Sequence, residues 1–302
     1  FDRVGGDDRA LAVAVDGLGD VVVAGYSYNG VNTDFQVIKY CGATRSGAGA
    51  CTGGAVLWQH SLNGSGNGDD YAVALAVDIL NNIYVGGYTQ GTVGNDDFMV
   101  VKYHAGGPAA NGSPVWLRTF DNGGEDRVTA LAVNGTGLAV TGYSQNATPD
   151  FDMLTLKYTS DGTVRWQQRH DGGAGDDRGW TVAMDTTGDI VASGTSYNGV
   201  SKQMYTARYA AADGALLWDR IYGGGNLSEP SRVVLDNGGD VYLAGVTFTV
   251  TGKNDFYAAR YGAADGALVW QALYDSGTDN ADVPADIVVD EDLLNPKIMN
   301  DY

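Results

Sequence analysis

The sequence predicts an all-β chain folded as a β-propeller, a ring of six four-stranded blades, with seven as the alternative. Three observations predict it. A block of four strand-like runs recurs with a period near fifty residues, 45 glycines in 302 residues punctuate it at turn positions, and no amphipathic helical stretch interrupts it. The block reads Ala10–Asp16, Asp20–Tyr26, Asp34–Tyr40 and Val56–Trp58, and its first Asp returns as Asp78, Asn134, Asp185, Asp236 and Asp290 at steps of 51 to 62 residues.

The first run of each block is apolar and ends in the Asp16-type turn. The second carries a glycine at one recurring place, Gly25, Gly87, Gly142, Gly194 and Gly245, which marks a bulge or a close backbone approach. The third begins at Asp34, Asp97, Asp152, Gln203 or Asp255 and ends in a basic–Tyr pair such as Lys39-Tyr40 or Arg260-Tyr261. The fourth holds Trp58, Trp116, Trp166, Trp218 and Trp270, one per blade, as packing between blades requires. Five repeats are complete, from about residue 7 to 280. The remainder, 281–302 with residues 1–4, reads as a partial sixth blade shared between the two ends, because Phe1–Val4 resembles Trp218–Ile221 and 283–290 resembles a first strand. The whole of 1–302 is then one domain, long enough to bury a core without a metal.

The net charge of −19 is almost entirely aspartate, with Glu only at 125, 229 and 291. Aspartate bonds nearby amides and favours turns, and its oxygens suit hard cations. No basic patch is present, so nucleic acid is excluded as a partner, and no apolar run approaches the roughly 20 residues of a spanning helix, so no membrane insertion is expected. Cys41 and Cys51 flank a Gly/Ala/Ser-rich loop and lack a third ligand for zinc. A disulfide is the preferred reading and favours an exported location, with free thiols as the alternative.

In register, the runs Asp-x-Ala-x-x-Leu-Ala-Val-Asp, Gly-Asp-Val-Tyr-Leu-Ala-Gly-x-Thr, Asp-Phe-x-x-x-Lys/Arg-Tyr and Asp-Gly-x-Leu-x-Trp resemble the bacterial β-propeller repeat family labelled SBBP over roughly residues 7–290. The segments Ala212–Trp218 and Ala264–Trp270 are also similar to the tryptophan strands of quinoprotein-type propellers. The resemblance implies a propeller in an exported, extracellular or surface-bound bacterial protein. It implies no particular activity.

In a propeller the first strand of each blade lines the channel, so the turn leading into it and the turn between the second and third strands share one face. That face carries Asp8, Asp70, Asp126, Asp177 and Asp282 in one ring, with Ser228 as the exception, and Asp34, Asp97 and Asp255 in another. Either these carboxylates cap turn amides and pair with neighbouring Arg and Lys, or they bind Ca²⁺ or a cationic ligand. Tyr26, Tyr88 and Tyr143 sit at the end of the second strand on the same face, where aromatic rings beside Asn and Asp suit glycans. His60, His104 and His170 fall in or beside different blades, and neither a Gly-x-Ser-x-Gly elbow nor a His-Glu-x-x-His pair occurs. The expectation is a non-catalytic exported module binding proteins, glycans or copies of itself. The alternative is a self-assembling filament or surface-layer subunit that adds a strand at the incomplete blade, and a calcium- or quinone-dependent enzyme comes third.

Overall fold

The computed structural model describes residues 5–47, 49–108, 113–146, 149–173, 175–248, 253–277 and 282–290. Within these, every regular element is a strand, and twenty strands form five groups of four antiparallel strands, here called blades, the last two joined into one eight-stranded sheet by a single parallel pairing of Lys202 with Leu227. Blade I holds β1 to β4 (Arg9–Val15, Val21–Tyr28, Thr33–Tyr40, Val56–Leu62), and blade II β5 to β8 (Asp70–Val77, Ile83–Gln90, Asp96–Tyr103, Trp116–Phe120). Blade III holds β9 to β12 (Asp126–Asn134, Gly137–Gln145, Phe151–Tyr158, Val164–His170), and blade IV β13 to β16 (Arg178–Met184, Ile190–Tyr197, Lys202–Tyr209, Leu216–Tyr222). Blade V holds β17 to β20 (Leu227–Leu235, Val241–Phe248, Asn254–Tyr261, Leu268–Tyr274). The expected strands at Phe1–Val4 and Lys297–Tyr302 lie outside the described residues.

The inner strands β1, β5, β9, β13 and β17 together line a central channel of about 660 Å³. Each inner strand bulges at the same place. In blade I the ladder skips from Ala10 to Ala12, and the same skip occurs at Ala72/Ala74, at Gly179/Thr181 and at Pro230/Arg232. The recurring glycine stands opposite. A Cβ on Gly25 would meet the Arg9 carbonyl oxygen at 1.8 Å, and one on Gly87 would meet that of Tyr71 at 1.8 Å. The sequence left a bulge and a close approach as alternatives, and both occur at once.

The Asp16-type turn closes on its own side chain, whose Oδ1 accepts the amides of Leu18 and Asp20 at 2.9 Å. Asp78, Asp185 and Asp236 repeat the device. Adjacent blades are joined by four repeated contacts. Trp116, Trp166 and Trp218 each give Nε1–H to a carbonyl of the next blade (Ser160, Ala211, Ala263) at 3.0–3.3 Å, and Trp58 reaches Ala105 more loosely at 3.5 Å. Each indole lies over a left-handed glycine of that blade: Gly107, Gly162, Gly214 and Gly266. The basic residue of the third strand also crosses, with Lys39, Lys102, Lys157 and Arg208 donating to backbone carbonyls of the next blade. Lys39 is buried and neutralised by Asp16 at 2.6 Å. An apolar cluster fills each of these four joints.

No strand pairing joins blade V to blade I among the described residues. The outer face of β19 is half exposed in strict alternation, whereas β15, its counterpart in blade IV, is buried on both faces from Met204 to Tyr209. Residues 282–290 begin to fill the gap. The Asp282 amide donates to Asn254 O at 2.8 Å, as the Asp177 amide donates to Phe151 O at 2.6 Å, and Arg232 on β17 faces Asp286 at 3.4 Å. Cys41 and Cys51 form a disulfide across the loop between β3 and β4. Closing a loop this short stabilises by about 2–3 kcal/mol in the chain-entropy account.

Candidate functional site

The bulge places one extra residue of every inner strand toward the channel while the backbone repeats. Those residues are Leu11, Val73, Thr129, Trp180 and Ser231, all of which border the central cavity, and all but Leu11 border a side cavity as well. A bulge re-aims its side chain, so this is the position at which a repeated scaffold can carry an unrepeated function. Trp180 is the one large residue among the five.

Trp180 borders the channel and two adjoining cavities at its mouth. One, of about 270 Å³, is lined by Val73, Tyr88, Arg127, Thr129, Tyr143 and Trp180. The other, of about 310 Å³, is lined by Trp180, Glu229, Pro230 and Ser231. The indole meets Tyr143 edge-on at 6.2 Å, and its Nε1–H donates to Thr195 Oγ1 at 3.3 Å. Arg127 lies 4.7 Å above the Tyr88 ring and is tied to Asp96 of the preceding blade at 2.6 Å. Arg178 lies 4.7 Å above Tyr143 and pairs with Asp176 at 2.8 Å. Aromatic contact continues round the rim, from Tyr88 to Tyr71 at 5.0 Å and from Tyr71 to Tyr26 at 4.9 Å.

The rim is therefore a band of aromatic rings in edge-on and tilted contact, with guanidinium groups over two of them tied to carboxylates. Burial pushes the Tyr88 hydroxyl up to about 12, so it is a neutral donor at any physiological pH. Burial likewise raises Asp96 above the usual carboxylate range, against the pull of Arg127. Such a band offers flat apolar faces and outward polar groups together, which is how pockets orient a ligand.

The residues predicted from the sequence divide. Tyr26, Tyr88 and Tyr143 are on the rim, and the last two line one cavity. Asp34, Asp97 and Asp255 lie beneath it at the blade joints, with Asp34 and Asp255 buried. Asp8, Asp70, Asp126, Asp177 and Asp282 each face backbone amides near the start of their own inner strand. Asp8 accepts Tyr28 N; Asp70 accepts Gly64 N and Gln90 N; Asp126 accepts Asn122 N; Asp177 accepts Gly172 N and Tyr197 N; and Asp282 accepts Ser276 N. Among the described residues no acidic cluster contains two of these five, and Asp126 and Asp177 fall in separate ones. Trp180 and Glu229 were missed. Comparing each blade's bulge position rather than its recurring residues would have singled out the tryptophan.

His60 and His170 are engaged in packing, and His104 is exposed beside Asn82. His60 Nδ1 is 2.9 Å from the Tyr103 hydroxyl. His170 stacks on Tyr205 with ring centroids 3.6 Å apart, and its Nε2 lies 3.0 Å from Ser196 Oγ. Burial lowers its pKa. Ser196 is itself buried and lines none of the cavities above.

Residues 62–95 match the sequence profile of SBBP, described as a beta-propeller repeat. The chain carries an SBBP repeat. No curated protein sequence matches it. Among solved structures it is similar to an unknown-function protein from Dyadobacter fermentans, with 13% identity, a TM-score of 0.50, and coverage of 92% of this chain and 86% of that one. It is also similar to the quinohemoprotein alcohol dehydrogenase of Comamonas testosteroni, with 11% identity, a TM-score of 0.53, and coverage of 89% and 53%. A third is the quinohemoprotein alcohol dehydrogenase ADHIIG of Pseudomonas putida, with 13% identity, a TM-score of 0.51, and the same coverage. The chain thus spans about half the length of each dehydrogenase. At these identities the likeness shows the fold, which agrees with the propeller repeat matched at residues 62–95.

Proposed function

We propose that this SBBP propeller is a non-catalytic, exported module of six blades that binds a glycan at the channel mouth around Trp180. The observation that carries the reading is the placement of a tryptophan at the bulge of blade IV, where the other blades carry Leu, Val, Thr and Ser. Residues that repeat serve the scaffold, and a departure at a channel-facing position is free to serve a ligand. The faces of Trp180, Tyr143 and Tyr88 suit the apolar face of a sugar ring, while Arg127, Glu229 and the tyrosine hydroxyls suit its hydroxyl groups. The disulfide supports export, since such bonds persist in oxidising compartments. Six blades are supported by Asp282, which repeats the amide bonding of the other inner-strand starts.

The test is a glycan panel read by tryptophan fluorescence. Four of the six tryptophans are packed between blades, so a spectral change on binding reports on Trp180 or on the exposed Trp270. Tyr88→Ala should abolish the response, and Trp180→Ala should abolish glycan binding read by calorimetry, both without lowering thermal stability much. Undiminished binding in Trp180→Ala would overturn the site.

A second reading, an assembly subunit, is favoured by the open joint. Trp270 is 41% exposed, and Gly54, which stands four residues before Trp58 as Gly266 stands before Trp270, has open space where other blades receive an indole. An unpaired blade edge is a template for strand addition, and head-to-tail addition makes filaments. Electron microscopy of native material separates the readings. Filaments that disperse on Trp270→Ala substitution support assembly, and isolated discs at all concentrations remove it.

A further inference from the structure

The joints between blades use one repeated set of three positions: the start of the third strand, the residue after the fourth strand, and the start of the next inner strand. At the joint of blades I and II these are Asp34, Asn63 and Asp70, and Asn29 donates to Asp34 at 2.7 Å. At the joint of III and IV they are Asp152, Asp171 and Asp177, and Arg169 meets Asp152 at 2.8 Å. At the joint of IV and V they are Gln203, Gly223 and Ser228, with no charge. Each of these three joints has an internal cation or fewer than three carboxylates.

The joint of blades II and III has neither. It gathers Asp97, Asp121 and Asp126, with an oxygen from each within 4.8 Å of the others. The residue matching Arg169 is Thr119, since both stand three residues after the blade tryptophan, so no guanidinium is supplied. Arg127, the nearest arginine in sequence, is committed to Asp96 and Glu125. Arg169 acts on Asp126 only through its field and its bond to Ser144.

A second observation points to a missing partner. Asp126 is fully buried; its Oδ2 accepts the Asn122 amide at 2.8 Å, while no donor reaches Oδ1 in hydrogen-bonding geometry. Ser144, across the ladder, is the side-chain donor that lowers the Asp126 pKa, and burial outweighs it. Asn95, whose amide donates to Asp97 at 3.1 Å, likewise buries an Oδ1 with no partner. Unpaired buried carboxylate oxygens are costly, and native structures satisfy them with a counter-ion or a metal.

We propose that the joint of blades II and III binds one calcium ion through Asp97, Asp121 and Asp126. Three carboxylates from three separate segments supply hard oxygen ligands with adjustable spacing, which suits Ca²⁺ better than the compact octahedron Mg²⁺ demands. The ion does for this joint what Arg169 does for the next. It links the two blades and stands apart from the Trp180 cavities, so it does not rest on the glycan reading.

The test is calorimetric titration of chelator-treated protein with calcium chloride, alongside thermal melting. One site per chain is expected, with a melting rise of about 4 °C at a hundredfold excess over Kd. Asp121→Asn, at an exposed ligand, should weaken binding about tenfold or more. Thr119→Arg should supply the internal cation, keep the chelated protein folded, and remove the calcium response. No heat and no shift at millimolar calcium would overturn the site. So would a wild-type response in both variants, or an equal response to magnesium.

Discussion

Blades IV and V carry nearly the same segment, Ala212–Trp218 and Ala264–Trp270, and the two tryptophans end in opposite surroundings. Trp218 is 6% exposed, donates to Ala263 O at 3.0 Å and lies over Gly266. Trp270 is largely open, and its ring contact is with Tyr242 of its own blade at 6.4 Å. The arginines diverge in the same way. Arg208 crosses to Gly239 O at 2.9 Å, whereas Arg260 turns back to Asp240 of its own blade at 2.6 Å. The motif therefore encodes half of a joint, and burial depends on the blade that follows. A residue's place in the repeat fixes what it can touch, and its place in the ring fixes whether it does.

The largest expected effects break this comparison directly. Trp218→Ala should cost about 3–5 kcal/mol in urea unfolding, as removal of a buried aromatic does, and Trp270→Ala less than about 1 kcal/mol in the isolated molecule. Equal costs would show that the edge of blade V is covered in solution. The basic residues allow a second contrast of similar size. Lys39→Met strands the buried Asp16 beside it and should cost about 3–5 kcal/mol, whereas Arg260→Met removes a partly exposed, solvent-screened pair and should cost far less.

A smaller effect sharpens the other half of the joint. Gly266 has φ +65°, and an added Cβ would meet the Trp218 ring at 2.6 Å; Gly54 has φ +82° with nothing nearby. Gly54→Ala should show only the backbone penalty, about 1–2 kcal/mol, and Gly266→Ala should exceed it by the cost of displacing the indole. In an assembled filament the two costs should converge, because Gly54 would then carry an indole as well.

The repeat made the fold legible. Alternation, turn aspartates and one tryptophan per period are local consequences of a blade, so they survive in a single sequence. The bulge was half legible, since Gly25 and its counterparts announce a close approach without showing that Arg9 O is what approaches. The site was less legible because it lies in the departures from the repeat. Trp180 sits in a run, Arg178–Met184, that reads as another apolar strand, and only the ladder register shows its side chain as the extra residue. Tyr88 and Tyr143 could be placed on the rim from their position after the glycine. The cross-blade contact of Arg127 with Asp96 could not, because it depends on how neighbouring blades are turned.

The smallest prediction concerns blade I, whose open face carries the disulfide loop. Arg45 on that loop meets Asp20 at 2.5 Å and 2.8 Å, and Asp20 also accepts the Gly42 amide. The Arg45 hydrogen bond holds the Asp20 carboxyl down to about 2, below its ordinary 3.8. A carboxyl lowered on folding adds stability that is fully present above its unfolded pKa and is lost as pH falls through the folded one. The stability difference between wild type and Asp20→Asn should therefore be steady above about pH 5 and shrink between about pH 4 and pH 2. Asp70, Asp126 and Asp152 work in the opposite sense, since burial raises each of them and acid relieves their charge. They are common to both proteins and cancel in the difference. Parallel acid-unfolding curves would mean that Arg45 leaves Asp20 in solution. The loop bearing Gly54 would then be free to move, and blade I would offer its neighbour a looser platform than blades II to V offer theirs.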